Sequence, residues 1–198
     1  MILGDVCSVH SGFTPRGRIS DDPNGTPAVQ QGDLAAVPLD PAALPRIDVT
    51  TDRFLVTSGD LVFRSRGQQP AAWVVPSTVR EPLVAVMPLF ILRPVVGSVD
   101  SRYLAWALNQ PAAQRYFQQS SQGQNIQMVS KPVLESTPLL LPTIDRQRRI
   151  AEIAGLATRE QALRSRLNDL EHQLIELRLA ELARTASDSA IHDRRNAR

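Results

Sequence analysis

The pattern of apolar and polar positions along the chain changes at Pro142. Before that residue the apolar runs are short, rich in Val and Leu, and separated by turn residues. All 15 prolines and 9 of the 10 glycines occur at or before Pro142. Short runs bounded by Gly and Pro are typical of β-strands. The pattern therefore predicts strands in four segments, namely TPAVQQGDL, RFLVTSGDLVFRSRG, AAWVVPS and LVAVMPLFILRP.

One segment of this first part has helical spacing instead. In DSRYLAWALNQPAAQRYFQQSS the apolar residues recur every three or four positions, after a candidate N-cap at Asp100 or Ser101. Pro111 interrupts the pattern and is expected to restart the helix. Strands and helix together predict an α+β fold, in which residues 1–142 form a mixed α/β domain with a curved, mostly antiparallel sheet.

After Pro142 the apolar residues follow a heptad pattern. Apolar residues are separated by three and four positions in alternation over several turns. This spacing predicts a coiled-coil helix over residues 143–184, which would act as a spacer and as the dimerisation element. Residues 185–198 lack periodicity and are expected to form a disordered tail. The residues predicted to drive dimerisation are Ile153, Leu156, Leu163, Leu167, Leu170, Leu174 and Leu177.

Two acidic residues bear on how such helices would pair. Glu160 and Glu181 occupy positions of the apolar stripe. In a parallel homodimer each would face its own copy, and like charges at close range are unfavourable. Antiparallel pairing avoids this arrangement.

Composition narrows the class of protein. Hydrophobic residues make up 42% and charged residues 21% of the chain, and no apolar run is long enough to cross a membrane. The single cysteine, Cys7, cannot form an internal disulfide, and the first residues do not resemble a secretory signal. These features predict a cytoplasmic protein without a membrane partner.

The basic residues are almost all arginine, but basic and acidic residues are equal in number over residues 1–142. Only Lys131 among the 22 basic residues is a lysine. Arginine suits phosphate and guanine recognition, but codon bias in a GC-rich genome explains the same excess. Residues 1–142 carry 11 basic and 11 acidic side chains. A nucleic-acid surface in this part must therefore be local.

The sequence offers little support for catalysis. Lys131 is followed by Pro132, so the chain has no phosphate-binding P-loop. One cysteine and three scattered histidines make a zinc site improbable. We expect a protein that is not an enzyme, with no catalytic residues, metal or cofactor; an uncharacterised enzyme is the least favoured alternative.

Four polar stretches are candidates for binding: GFTPRGR, AVQQGDL, GDLVFRSRGQQP and SSQGQNIQMVSK. Each one alone is more often a solvated loop, but they share a chemistry. Gln and Asn can bond adenine, and Arg can bond guanine, each with two contacts, while Ser and Lys hold phosphates. The predicted DNA-binding residues are Thr14, Arg16, Arg18, Gln30, Gln31, Arg64, Ser65, Arg66, Gln68, Gln122, Gln124, Asn125, Gln127 and Lys131.

Four blocks resemble a known family. They are LGDVCSVHSGFTPRG, VTSGDLVFRSRG, DSRYLAWALNQPAAQRYF and GQNIQMVSKPVLESTPLLLPTIDRQRRIAEIAGL. In this order they are similar to specificity (S) subunits of type I restriction-modification systems, over nearly all of residues 2–182. The last block, a loop, a strand and the start of a helix, is the most specific. The departure is that typical members have two recognition domains and two helices, whereas this chain has one of each.

The resemblance implies a role in phage defence. A target recognition domain would read one half of a split site in double-stranded DNA, and the helix would space it from a second reader. The implied partners are an adenine DNA methyltransferase subunit, a restriction subunit and a second copy of this chain paired through antiparallel helices. The alternative is an adaptor of a modification or defence complex without DNA specificity of its own.

Overall fold

The computed structural model describes residues 1–15, 22–35, 39–67, 69–120 and 128–196, with side chains described as far as residue 182. The chain forms two compact units, Met1–Ala151 and Glu152–Arg198. The strands are β1 Cys7–Ser11, β2 Thr26–Val29, β3 Arg46–Ile47, β4 Leu55–Val56, β5 Leu61–Arg64, β6 Ala71–Val74, β7 Leu83–Ala85 and β8 Leu89–Pro94. The helices are α1 Ser101–Leu108, α2 Pro111–Ser120, α3 Lys131–Glu135 and α4 Ile144–Asn196.

The strands form two four-stranded sheets. The central sheet has the order β1-β8-β5-β6 and is antiparallel throughout; the second sheet has the order β3-β2-β7-β4, with β2 and β7 parallel. The predicted α+β class with mostly antiparallel strands is confirmed. The sequence pattern indicated one sheet, and the structure divides the strands between two.

The central sheet is covered on both faces. On β5, Leu61 and Phe63 pack with the helices, whereas Val62 between them packs with the second sheet. On β8, Phe90 and Leu92 face the helices, while Leu89 and Ile91 face the second sheet. Because successive side chains of a strand point to opposite faces, a strand buried on both faces has a continuous apolar run. This explains why LVF and LFIL do not alternate with polar residues.

Helices α1 and α2 begin where the sequence predicted. The Asp100 Oδ1 accepts hydrogen bonds from the backbone N–H groups of Arg102 and Tyr103, both at 3.0 Å, which caps α1. Pro111 is the first residue of α2, a position where its missing N–H is not needed. Asn109, between the helices, bonds both the N–H and the carbonyl of Ala72 and thereby holds them against β6.

The segment before α4 differs from the prediction. A strand was expected between the polar loop and the long helix, but residues Lys131–Glu135 form the short helix α3, with a proline in its first turn. Only a single bridge, Ile2 with Pro138, gives this segment a strand-like pairing. Pro132 favours a helix start at this point because its fixed φ suits the first turn.

The first turns of α4 belong to the first compact unit. Gln147 is buried; its Oε1 accepts from the Asp100 N–H at 2.9 Å and its Nε2 donates to the Pro142 carbonyl at 2.8 Å. These bonds fix the start of α4, and the unit runs to Ala151. The predicted long C-terminal helix is confirmed. The functional boundaries at 142 and 184, and the disorder predicted for 185–198, stay predictions.

A close backbone approach at Gly12 generates a testable prediction about stability. A Cβ added there would lie 2.7 Å from the Ala85 carbonyl oxygen and 2.8 Å from that of Leu89. We expect Gly12→Ala to lower the free energy of unfolding by about 1–3 kcal/mol, as other overpacking substitutions do. Urea denaturation measures it. Gly32→Ala is the control, because nothing lies within 4 Å of a Cβ there; equal midpoints for both variants would contradict the expectation.

Candidate nucleic-acid interface

The direction of the strands brings three polar stretches together. The parallel pair β2 and β7 ends at one edge of the second sheet, and the turn after β7 leads directly into β8. In the central sheet β1 and β5 are both antiparallel to β8, so both end where β8 begins. The polar stretches that follow β1, β2 and β5 therefore start at the same place.

Hydrogen bonds to the β7–β8 turn fix this arrangement. The N–H of Phe13 donates to the Ala85 carbonyl at 2.8 Å, and the N–H of Met87 donates back to the Phe13 carbonyl at 2.9 Å. The N–H of Val86 donates to the Val29 carbonyl at 3.0 Å. The ends of β1 and β2 are thus attached to one turn by backbone groups.

Ser65 attaches the other two stretches. Its hydroxyl donates to the Pro88 carbonyl at 2.5 Å, and its own carbonyl accepts from the Val129 N–H at 2.9 Å. We call this set of contacts the loop junction, which consists of the turn residues 86–88 and the segments bonded to it at Phe13, Val29, Ser65 and Val129. All four polar stretches singled out in the sequence reach the loop junction.

The described candidates differ in what they can contact. Thr14, Gln30 and Arg66 are exposed beside the loop junction, and Gln31 is half-buried. The Gln31 Nε2 lies 3.3 Å from the position of a Cβ built on Gly67, which shows that the second and third polar stretches are in contact. The candidates that lie outside the described residues are Arg16, Arg18, Gln68, Gln122, Gln124, Asn125 and Gln127.

Two predicted binding residues have structural partners within the chain. Arg64 donates through Nε and an Nη to the Gln69 carbonyl, at 3.2 and 3.0 Å, and its guanidinium lies 5.2 Å from the centre of the Trp73 ring. Ser65 is 1% exposed. In this structure the Arg64 side chain is bonded within the loop after β5, and Ser65 is a buried residue at the start of that loop. The direct contact with DNA predicted for each of them stays a prediction.

A cleft beside the loop junction brings further basic groups together. It measures about 510 Å³, and Thr14 and Lys131, which are far apart in the sequence, both line it. Arg53 and His10 line it as well, and the sequence analysis missed both. Arg53 lies in a short segment with one basic residue, and nothing local indicates that it meets Lys131.

The charge of the cleft is modest and local. Burial lowers the pKa of His10 from its ordinary value, and the positive charges of Arg93 and Lys131 lower it further. The Lys131 ammonium lies 3.6 Å from a carboxylate oxygen of Glu135, which offsets part of its charge. The cleft thus combines the Arg53 guanidinium and the Lys131 ammonium with the His10 imidazole. Cationic groups of this kind are typical contacts for phosphate oxygens.

The described residues lack a cluster of His, Cys, Asp and Glu that could hold a metal ion. The Cys7 thiol is buried, and burial raises its pKa to about 12, so it is a thiol and not a reactive thiolate at neutral pH. Over the same described part of the chain, every helix is too short or too polar to cross a bilayer.

The second unit carries the predicted dimerisation stripe. Along α4 the leucine and isoleucine side chains of the stripe are exposed, from 45% at Leu170 to 68% at Ile153. Glu160 forms an ion pair of 2.8 Å with Arg164, one turn away, and Glu181 one of 3.2 Å with Arg178. The remaining exposed members of the stripe are Leu156, Leu163, Leu167, Leu174 and Leu177.

No family model and no curated protein sequence matches the chain. Several solved structures do. A chain from the structural work on complex assembly and conformational transition of the type I R-M system is 22% identical, with a TM-score of 0.61 over 89% of this chain and 42% of that one. The HsdS subunit from Thermoanaerobacter tengcongensis is 20% identical, with a TM-score of 0.58 over 82% of this chain and 37% of its own.

A third structure, the type I restriction-modification system S subunit from M. genitalium, is 13% identical, with a TM-score of 0.54 over 79% of this chain and 37% of its own. The chain spans about two fifths of the length of these structures. At this identity the likeness concerns the fold. The chain has the fold of the type I restriction-modification specificity subunits, in a form with one mixed domain and one long helix, as the sequence resemblance indicated.

Proposed function

We propose that this chain is the DNA-recognition subunit of a type I restriction-modification system. Residues 1–142 bind one half of a split DNA target, and the helix that follows sets the distance to a second reader. The chain itself is not an enzyme; it directs an adenine DNA methyltransferase, and with it a restriction subunit, to the site. We place this activity in the cytoplasm, where the target DNA is.

The observation that carries the proposal is the loop junction. Four polar stretches, spread over more than half of the first unit's sequence, meet at the loop junction. The first two are bonded to the turn by backbone groups, the third by the Ser65 hydroxyl, and the fourth is bonded to the Ser65 carbonyl. Loops held on a rigid scaffold are where recognition residues concentrate. Exposed Gln30 and Arg66 provide the amide and guanidinium groups that bond base edges in the major groove.

The cleft of Thr14, Arg53 and Lys131 supplies the complementary function. Contacts to phosphates fix the position of a protein on the duplex, and contacts to base edges read the sequence. A cleft with two cationic groups next to the loop junction would hold the backbone while the loops meet the bases. Two cationic groups thus meet at one place although residues 1–142 as a whole carry a balanced charge.

The long helix α4 would join two recognition domains in one complex. The stripe of α4 is exposed along the whole described part of the second unit, and an apolar heptad stripe is the surface through which helices pair in coiled coils. We propose a second copy of the chain as that partner. Antiparallel pairing places Glu160 and Glu181 away from their own copies, and it joins the readers to opposite ends of the helix pair.

A first prediction separates base reading from phosphate binding. Arg66→Ala should relax specificity at one base and cost about 1–3 kcal/mol of binding, whereas Arg53→Ala with Lys131→Ala should weaken binding to all sequences and flatten its salt dependence. Fluorescence anisotropy with specific and scrambled duplexes, with and without methyltransferase, measures both. Arg80→Ala is the matched control, since this exposed arginine precedes β7 and lies away from the loop junction.

Two results would overturn the recognition proposal. One is an unmodified chain that prefers no DNA sequence either alone or with methyltransferase. The other is an Arg66→Ala variant and a doubly substituted cleft variant that both bind like Arg80→Ala.

A second prediction concerns the helix stripe. Leu167→Asp with Leu170→Asp should abolish dimerisation, because it buries unpaired charges in the helix seam. Analytical ultracentrifugation measures the association state. The control is Ser165→Asp with Asn168→Asp, which adds the same charges on α4 outside the stripe. An unmodified chain that sediments as a monomer and does not bind methyltransferase would rule out the pairing.

A third prediction connects helix length to DNA spacing. One heptad inserted near Leu170 keeps the stripe in register and lengthens the helix by about 10.5 Å. At about 3.4 Å per base pair, the preferred gap between half-sites should grow by roughly 3 base pairs, while the half-sites stay the same. Mapping methylated adenines in treated DNA provides the measurement. An insertion of four residues, which breaks the register, is the control and should reduce methylation.

The spacing model would be wrong if the heptad variant methylated the original sites with the original gap. The charge balance of residues 1–142 supports one second candidate, an adaptor that joins such a complex without reading DNA. That candidate predicts normal binding to methyltransferase and no sequence preference in the anisotropy measurements.

A further inference from the structure

Two exposed methionines lie at the loop junction. The Met87 side chain is 36% exposed and that of Met128 is 44% exposed. Single exposed apolar residues are ordinary on protein surfaces. These two differ because Met87 lies in the β7–β8 turn and Met128 in the fourth polar stretch, and yet the residue after each of them is bonded to Ser65.

Ser65 connects the two methionines. Its hydroxyl donates to the carbonyl of Pro88, the residue after Met87, and its carbonyl accepts from the N–H of Val129, the residue after Met128. Ser65 itself is buried, with 1% of its surface exposed. It therefore holds the backbone segments of both methionines at the loop junction.

The backbone of each methionine is held in place. Met87 donates its N–H to the Phe13 carbonyl at 2.9 Å, and Met128 forms an antiparallel bridge with Arg66. A fixed backbone with an unbranched, polarisable side chain gives an apolar contact that adapts its shape to what it meets. Its neighbours at the loop junction, Gln30 and Arg66, are exposed and polar.

We propose that Met87 and Met128 form an apolar contact that recognises the 5-methyl group of a thymine in the target half-site. Thymine is the base that carries a methyl group in the major groove, and proteins recognise it through apolar contacts. The neighbouring amide and guanidinium would bond adjacent base edges. This inference rests on the proposed function and adds to it the class of base that the methionines select.

The test uses the full-length chain and a duplex that carries its mapped target site. Each thymine of one half-site is replaced in turn by deoxyuridine, which removes only the methyl group. At one position we expect the affinity of the unmodified chain to fall about fourfold, the effect of removing one buried methyl-sized group. In Met87→Gln with Met128→Gln, which preserves side-chain length, that position should no longer respond to deoxyuridine.

Val96→Ala is the matched control. Val96 is an apolar residue that is 99% exposed and follows β8, whose other end leads to the loop junction; this variant should respond to deoxyuridine like the unmodified chain. Three results would overturn the inference while sequence-specific binding remains: a half-site without thymine, no response at any position, or an equal loss at all positions after the methionine substitutions. Weaker binding of methyltransferase with an unchanged deoxyuridine response would assign the methionines to a protein interface instead. Absence of any sequence preference would instead refute the proposed function itself.

Discussion

Backbone hydrogen bonds to the turn between β7 and β8 hold the candidate interface together. Phe13, Val29 and Ser65 lie at or just after the ends of three different strands, and each is bonded to this turn. Most of these bonds use main-chain groups, so the residues that follow in each loop are not needed for the attachment. A scaffold built in this way can carry loops of different sequence without losing the position at which they meet.

The turn is held by the central sheet behind it. That sheet is buried on both faces, by the helices on one side and the second sheet on the other. Gly12 passes so close to the Ala85 and Leu89 carbonyls that a larger residue would displace them. Packing of this kind leaves little freedom at the loop junction, and this supports the proposed role of the polar side chains beyond it in recognition.

Local patterns predicted a large part of this architecture. The four segments predicted as strands contain β2 and β4 to β8. These strands could be predicted because the signal, a short apolar run between turn residues, is local in the sequence. The cap at Asp100, the restart at Pro111 and the long helix α4 were also predicted correctly. The order of the four sequence blocks indicated the fold that the solved structures share. Polarity alone selected the four stretches that converge.

Contacts between distant residues decided the rest. The strands β1 and β3 and the helix α3 were missed because short segments without strong periodicity take their conformation from their partners. The sequence contains no sign that Arg53 and His10 line the same cleft as Lys131. By itself the sequence determined which segments are strands and helices, and which positions of α4 form an apolar stripe. Only the tertiary structure decided that Ser65 is buried and which loops meet, since periodicity reports the face of an element and not the element that packs against it.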